Sequence, residues 1–190
     1  MQSKFFIKST QIAKTIMEMK VSYGNTVLDA TMGNGHDTAF LADLVGDEGI
    51  VFSFDIQDIA LENTKNKLNE LGLLNRVKLI KDSHENIDDY INDKVDLAIF
   101  NLGYLPSGNH SIITKPDSTL KAIKKVLELL SKHGILLVVV YYGHQGGNEE
   151  KKCVEDFLKS LDQREFNTLK FDFINQKNNP PVLIGVEKKG

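Results

Sequence analysis

The stretch VLDATMGNGHDTAFLA, residues 27–42, decides how this chain is read. It opens as a short apolar strand pattern that closes on Asp29. It then passes through MGNGHD (32–37) and becomes a helical pattern. Glycines at 33 and 35 permit tight backbone geometry and close approach of a ligand, which a Cβ at either position would obstruct. In an open α/β sheet such a turn lies at the carboxyl end of a strand, where ligands bind near the topological switch point. Residue 38 is Thr38, so the third glycine of a dinucleotide-binding G-x-G-x-x-G turn is missing.

Working outward, short apolar runs alternate with amphipathic segments. Strand-like runs occupy 26–30, 49–55, 77–82, 95–101, 134–142, 169–175 and 181–188. Helical patterns lie between most of them, with a leading helix near 9–20. In 58–71, Leu61, Thr64, Leu68 and Leu71 share a face, and Gly72 follows as a C-terminal stop. In 118–132, Ile123, Leu127 and Leu130 face inward, with Lys124, Glu128 and Lys132 spaced for i,i+4 pairs outside. Val154, Phe157, Leu158 and Leu161 mark a further helix. Apolar strands alternating with helices predict an α/β fold, a mostly parallel sheet with helices on both faces. The last two runs are separated only by QKNNPP, too short for a helical crossover, so the last strand should run antiparallel to its predecessor. A Rossmann-like sheet of seven strands closing with a hairpin is the class I methyltransferase variant rather than the plain dinucleotide fold.

The 190 residues predict a single domain spanning 1–190, with no separate RNA-binding module. No apolar run approaches the ~20 residues of a membrane span. The N-terminal segment lacks the pattern of a secretory signal, which implies a cytoplasmic protein. Cys153 is the only cysteine, excluding an internal disulfide and a cysteine-based zinc site; on its predicted amphipathic helix it reads as a structural thiol. A net charge of −3 and a pI near 6.0 argue against coating nucleic acid by bulk electrostatics. Only Arg76 and Arg164 could offer bidentate contacts to phosphates or bases.

The ends of four consecutive strand runs carry the chemistry: Asp29, Asp55, Asp82 and Asn101. Asp55 stands 22 residues after Gly33, where an acid can take both hydroxyls of a ribose. Asp82 could meet an adenine amino group. A row of acids repels a pyrophosphate but suits S-adenosylmethionine, which is cationic at its sulfonium and amino group.

DATMGNGHDT, FDIQ, NLGYLP, YYGHQGG and INQKNNPP together resemble the small bacterial rRNA-methylase-like family of class I methyltransferases, over residues 9–188. Members of that family methylate tRNA, converting 5-aminomethyl-(2-thio)uridine at the wobble position to its methylaminomethyl form. The resemblance implies that Asp29 and the backbone of Met32, Gly33 and Gly35 hold the amino-acid end of the donor. Asn34, Asp37 and Thr38 flank it, Asp55 and Gln57 meet the ribose, and Asp82, Ser83 and His84 frame the adenine. It also places Asn101, Leu102, Gly103 and Tyr104 where related amino-group methyltransferases carry an Asn/Asp-Pro-Pro-Tyr-like motif. The loop 105–112, which contains Pro106, departs from the family's usual glycine-rich, acidic form.

Transfer to an amine requires an unprotonated nitrogen aimed at the methyl carbon. For an amine with a lysine-like pKa of about 10.4, deprotonation at neutral pH costs roughly 4–5 kcal/mol, which desolvation lowers. The side-chain carbonyl of Asn101 and the backbone carbonyl of Leu102 are the expected acceptors of the amine protons. Tyr104 is expected to wall the flipped base. Pro106 and His144 are candidates for the substrate side. The dispersed histidines have no metal-binding spacing, so no metal is expected. Lys4, Lys8, Lys14 and Lys20 could form a weak basic patch near the donor mouth, and a homodimer could pool two such surfaces. The competing readings are methylation of an rRNA base, a protein amide or a small amine, a nicotinamide-dependent oxidoreductase, and a non-catalytic RNA- or donor-binding protein.

Overall fold

Periodicity in the sequence becomes layering in space. The computed structural model describes residues 6–105 and 113–190, and Pro106 and Lys4 lie outside them. The elements run α1 (Ser9–Lys20), β1 (Thr26–Asp29), α2 (His36–Val45), β2 (Ile50–Asp55), α3 (Asp58–Glu70), β3 (Val77–Lys81), β4 (Val95–Leu102), α4 (Pro116–Leu129), β5 (Leu130–Val140), α5 (Gly147–Lys159), β6 (Phe166–Phe171) and β7 (Val182–Lys188). They form a 7-stranded sheet in the order β3-β2-β1-β4-β5-β7-β6. Neighbours from β3 through β5 are parallel, whereas β7 runs antiparallel to both β5 and β6. The short β6–β7 connection compels that reversal, as its length predicts. Strand order changes direction between β1 and β4, which opens a crevice at their carboxyl ends.

Side chains alternate across the sheet with the period of two that strands impose. Leu28, Ala98, Phe100, Leu136 and Val138 pack on the face covered by α4 and α5. Val27, Leu97, Ile99, Leu137 and Val139 pack on the other, with Met17 of α1 and Leu41 of α2. Each of these buried side chains larger than alanine contributes about 1.5–3 kcal/mol relative to exposure. Among the described residues no helix is long and apolar enough to cross a membrane.

Boundaries moved where packing overrode local pattern. The helix expected over 118–132 ends at Leu129 because Leu130 pairs with Val95 in the sheet. His133, at φ 58, and the following Gly134 sit in a register shift between Val95 and Leu97. Lys132 therefore lies off the helix, and Lys124 extends over the Phe157 ring, 5.4 Å from its centre. Leu71 is 58% exposed, at the C-cap rather than on the buried face of α3. Gly72 does follow with φ +70, a conformation suited to a helix stop. β6 begins and ends earlier than the run 169–175, since it is an exposed edge whose extent is set by pairing with β7.

Candidate active site

A cavity of about 620 Å³ opens over the carboxyl ends of β1, β2 and β4. Its walls include Asp29, Asp37, Asp55 and Asp82, so it is an acidic cleft. Asp29 ends β1 wholly buried. One carboxylate oxygen accepts the Thr31 N–H at 3.1 Å and the other accepts the Thr38 hydroxyl at 2.6 Å. Thr38 also lies 2.7 Å from the Ser53 hydroxyl. Burial, then the negative charge of Asp37, push the Asp29 carboxyl up to about 7, while the Thr38 and Thr31 hydrogen bonds pull the other way. A cation entering the cleft favours the ionised form.

The folded pKa of Asp29 thus lies above the ordinary 3.8, so its proton stabilises the protein below that value. The contribution is lost as pH rises through about 7. Asn at this position can donate to Thr38, which then donates to Ser53. Asp29→Asn is therefore expected to raise Tm at pH 8 and to flatten the decline of Tm between pH 5 and 8. The part of the decline removed between pH 5 and 7 corresponds to roughly 3 kcal/mol or less. Thermal denaturation across that range checks it, and an unchanged pH slope would contradict the assignment.

The glycine turn is organised by its neighbours. Gly33 N–H donates to Asp55 Oδ2 at 3.0 Å, Gln57 N–H donates to Asp55 Oδ1 at 3.0 Å, and the Thr64 hydroxyl donates to the Gly33 carbonyl at 3.2 Å. Gly35 caps α2 at φ 71 and is buried against Thr64, beneath the cavity rather than on its wall. Thr38 is likewise buried below it. With the Gly33 N–H committed to a carboxylate, the turn does not present that donor to a pyrophosphate, which counts against a nicotinamide dinucleotide. Met32, Gly33, Asn34 and Gln57 do line the cavity.

On the next strand end, Asp82 accepts from Ser83 N–H, Asn86 and the Tyr90 hydroxyl. Burial opposes its ionisation, but those three hydrogen bonds outweigh it and hold the carboxyl below its ordinary range. Ser83 and His84 complete this wall. His84 Nδ1 lies 3.3 Å from the Ala30 carbonyl, and burial holds the ring below the ordinary histidine pKa. The neutral ring donates from Nδ1, so its buried Nε2, without a hydrogen-bond partner among the described residues, is an acceptor.

The far wall centres on Asn101. Its backbone N–H donates to the Thr31 hydroxyl at 2.7 Å, and its side-chain Nδ2 donates to Asp37 Oδ2 at 2.9 Å. That bond fixes the amide so that Oδ1 is its acceptor atom. Leu102 differs from expectation. It is fully buried, off the cavity wall, and its carbonyl accepts the Tyr141 N–H at 3.0 Å as part of the β4–β5 pairing. Asn101 Oδ1 is thus the better-placed acceptor. Tyr104 is 44% exposed on the rim, and the His144 ring meets it edge-on at 5.8 Å from behind, so His144 supports Tyr104 rather than lining the cavity. Tyr141 enters the wall beside Gly103. Its signal in sequence was its place at the end of a fifth strand.

A second set of residues holds this wall and had no signal in sequence. Gly103 N–H donates to the Thr114 hydroxyl oxygen at 2.9 Å, and Thr114 N–H returns to the Gly103 carbonyl at 3.0 Å. The Thr114 and Thr119 hydroxyls in turn donate to the two carboxylate oxygens of Glu150, at 2.6 and 2.7 Å. Glu150 is 1% exposed. Glu150→Ala is expected to cost about 1–3 kcal/mol of stability by stranding the two hydroxyls. It should also lower turnover roughly tenfold by loosening the Asn101–Tyr104 stretch, with affinity for S-adenosylhomocysteine unchanged. Glu150→Gln should recover most of both, as read by melting, turnover and calorimetric titration.

A doubly wound sheet with a terminal antiparallel pair and an acid-lined cleft at the β1/β4 switch point defines a class I methyltransferase dependent on S-adenosylmethionine. The model of the family described as "Putative rRNA methylase" matches residues 51–187, and this chain belongs to that family. A chloroplastic tRNA (mnm(5)s(2)U34)-methyltransferase of Arabidopsis thaliana is 38% identical over 192 residues, covering 96% of this chain and 70% of that protein. A "putative rRNA-methylase" from Clostridium thermocellum has a crystal structure with TM-score 0.94 and 52% identity, covering 99% of this chain and 100% of that one. A "putative methyltransferase" from Streptococcus mutans, crystallised in complex with SAH, gives TM-score 0.88 and 40% identity, with 99% of both chains covered.

Proposed function

We propose that this protein methylates the aminomethyl nitrogen of 5-aminomethyl-(2-thio)uridine at the wobble position of tRNA. The observation that carries this reading is Asn101, an amide locked by Asp37 with its carbonyl as the acceptor, on the rim beside exposed Tyr104. The activity for which the Arabidopsis relative is named supports the same substrate.

S-adenosylmethionine supplies a methyl group on a cationic sulfur. Asp29 and the turn around Gly33 would meet its amino-acid end, Asp55 and Gln57 its ribose, and Asp82, Ser83 and His84 its adenine. The acidic walls match its positive charge. Asn101 Oδ1 accepts an N–H of the neutral acceptor amine and directs its lone pair across the cleft. Tyr104 packs against the uridine ring, and the apolar side chains of Leu105 and Ile113 exclude water, which disfavours the ammonium form. The nitrogen–carbon bond forms as the sulfur–carbon bond breaks, and the proton then on nitrogen passes to solvent. Orientation of this kind supplies much of the rate without a covalent catalyst.

The test is nucleoside mass spectrometry on tRNA from a strain lacking the protein. Accumulation of 5-aminomethyl-(2-thio)uridine, and its conversion in vitro by purified protein with labelled S-adenosylmethionine, is the expected result. Unchanged tRNA that takes up no label would refute the substrate and make rRNA the next one to assay.

A further inference from the structure

On the rim next to the acceptor wall, two bases meet. Lys67 of α3 brings its ammonium 2.9 Å from His36 Nδ1 and 3.4 Å from Nε2, at the start of α2. Among the described residues Lys67 forms no salt bridge, so its polar partner is another base. Lys14 of α1 joins them from the other side. It lies 5.0 Å from the Phe40 ring centre and 3.9 Å from Asp37 Oδ1, and so is one residue removed from the amide of Asn101. Burial, then Lys67 and Lys14, hold His36 below its ordinary pKa against the opposing charge of Asp37; burial, then Lys14, do the same for Lys67 against that of Glu70. Three helices thus converge two lysines and a histidine whose protonation those lysines oppose beside the cavity mouth, in a protein whose net charge is −3.

We propose that Lys14, His36 and Lys67 form a seat for a backbone phosphate of the RNA, beside the nucleotide whose base enters the cavity. A phosphodiester beside them offsets the charges of Lys67 and Lys14 and lets His36 take a proton, so each base can make a charge-assisted hydrogen bond to it. The N-terminus of α2 adds its favourable dipole. Position favours RNA over the donor: Lys14 and His36 line the cavity, but Lys67 stands outside its wall, and the cluster borders Asn101 rather than the adenine side. The seat explains how an acidic protein with two arginines can hold a polyanion, by one local contact rather than a broad basic face. This inference rests on the RNA reading above.

The test uses the whole protein, tRNA from a strain lacking it, and S-adenosylhomocysteine as the donor-site probe. Lys67→Gln is expected to raise the KM for tRNA roughly fivefold and to reduce the slope of log affinity against log salt by about 0.7. Lys67→Glu should do more, and Lys67→Arg should stay near wild type. Affinity for S-adenosylhomocysteine should remain at the wild-type value in all three. Lys159→Gln, on the exposed end of α5, serves as the control with no expected change. An unchanged KM and salt slope in Lys67→Glu, with wild-type protein methylating tRNA, would overturn the seat alone. A parallel loss of S-adenosylhomocysteine affinity would overturn it in favour of the donor carboxylate. Failure of wild-type protein to methylate tRNA would remove the RNA reading itself, and the seat with it.

Discussion

Replacing Asn101 by alanine is expected to lower kcat by about 10²-fold while leaving S-adenosylhomocysteine affinity within twofold of wild type. Asp29, Asp55 and Asp82, proposed to meet the donor, lie at other strand ends, and their hydrogen bonds do not pass through the Asn101 side chain. What alanine removes is the side-chain carbonyl proposed to accept from the amine. It also strands Asp37, whose carboxylate loses the 2.9 Å hydrogen bond from Asn101 Nδ2. Asn101→Asp keeps the shape but sets a second carboxylate against Asp37, so it should be no better than alanine. Single-turnover rates with excess enzyme, read beside calorimetric donor titration, separate the two effects. Wild-type turnover in Asn101→Ala would exclude this residue from orienting the amine.

Gly35→Ala should destabilise the protein by about 2–4 kcal/mol and abolish measurable donor binding, a large effect for one methyl group. Two costs combine. Gly35 has φ +71, where an L side chain is disfavoured. Its added Cβ would also stand 2.6 Å from Thr64 Oγ1 and 2.7 Å from Thr64 Cγ2. Thr64 cannot simply swing away, because its hydroxyl holds the Gly33 carbonyl and thereby the turn. The double variant with Thr64→Ala should regain part of the stability, since the two nearest atoms are gone, but not the donor binding. Gly33 offers the contrast: it is also at positive φ, +54, but its Cβ would come no nearer than 3.4 Å to the Leu105 side chain and 3.8 Å to the Thr31 carbonyl, so Gly33→Ala should cost less. Thermal denaturation of the three variants orders them, and an equal loss at both glycines would contradict this account.

Much of the architecture was legible because it is local. Apolar runs at period two, helical faces at period 3.6 and a six-residue link before the last strand are properties of neighbours in sequence. They correctly predicted the parallel strands, the antiparallel closure and the strand-end positions of Asp29 and Asp55, while β4 runs one residue past Asn101 to Leu102. Boundaries failed where a distant partner intervened. Leu130 left its helix to pair with Val95, and β6 took its extent from β7.

The candidate site divides along the same line. Sequence alone determined which residues end the strands, which glycines turn the chain, and that the cleft is acidic, because each follows from residue type and short-range pattern. The tertiary structure decided what those residues are able to do. Asp37 and Asn101 are 64 positions apart, Thr114 and Glu150 are 36 apart, and Lys67 and His36 are 31 apart. Protonation of Asp29, the facing of the Asn101 amide and the withdrawal of the Leu102 carbonyl into the sheet depend on desolvation and hydrogen-bond partners. Those are properties of neighbours in space, which exist only once the strands have paired.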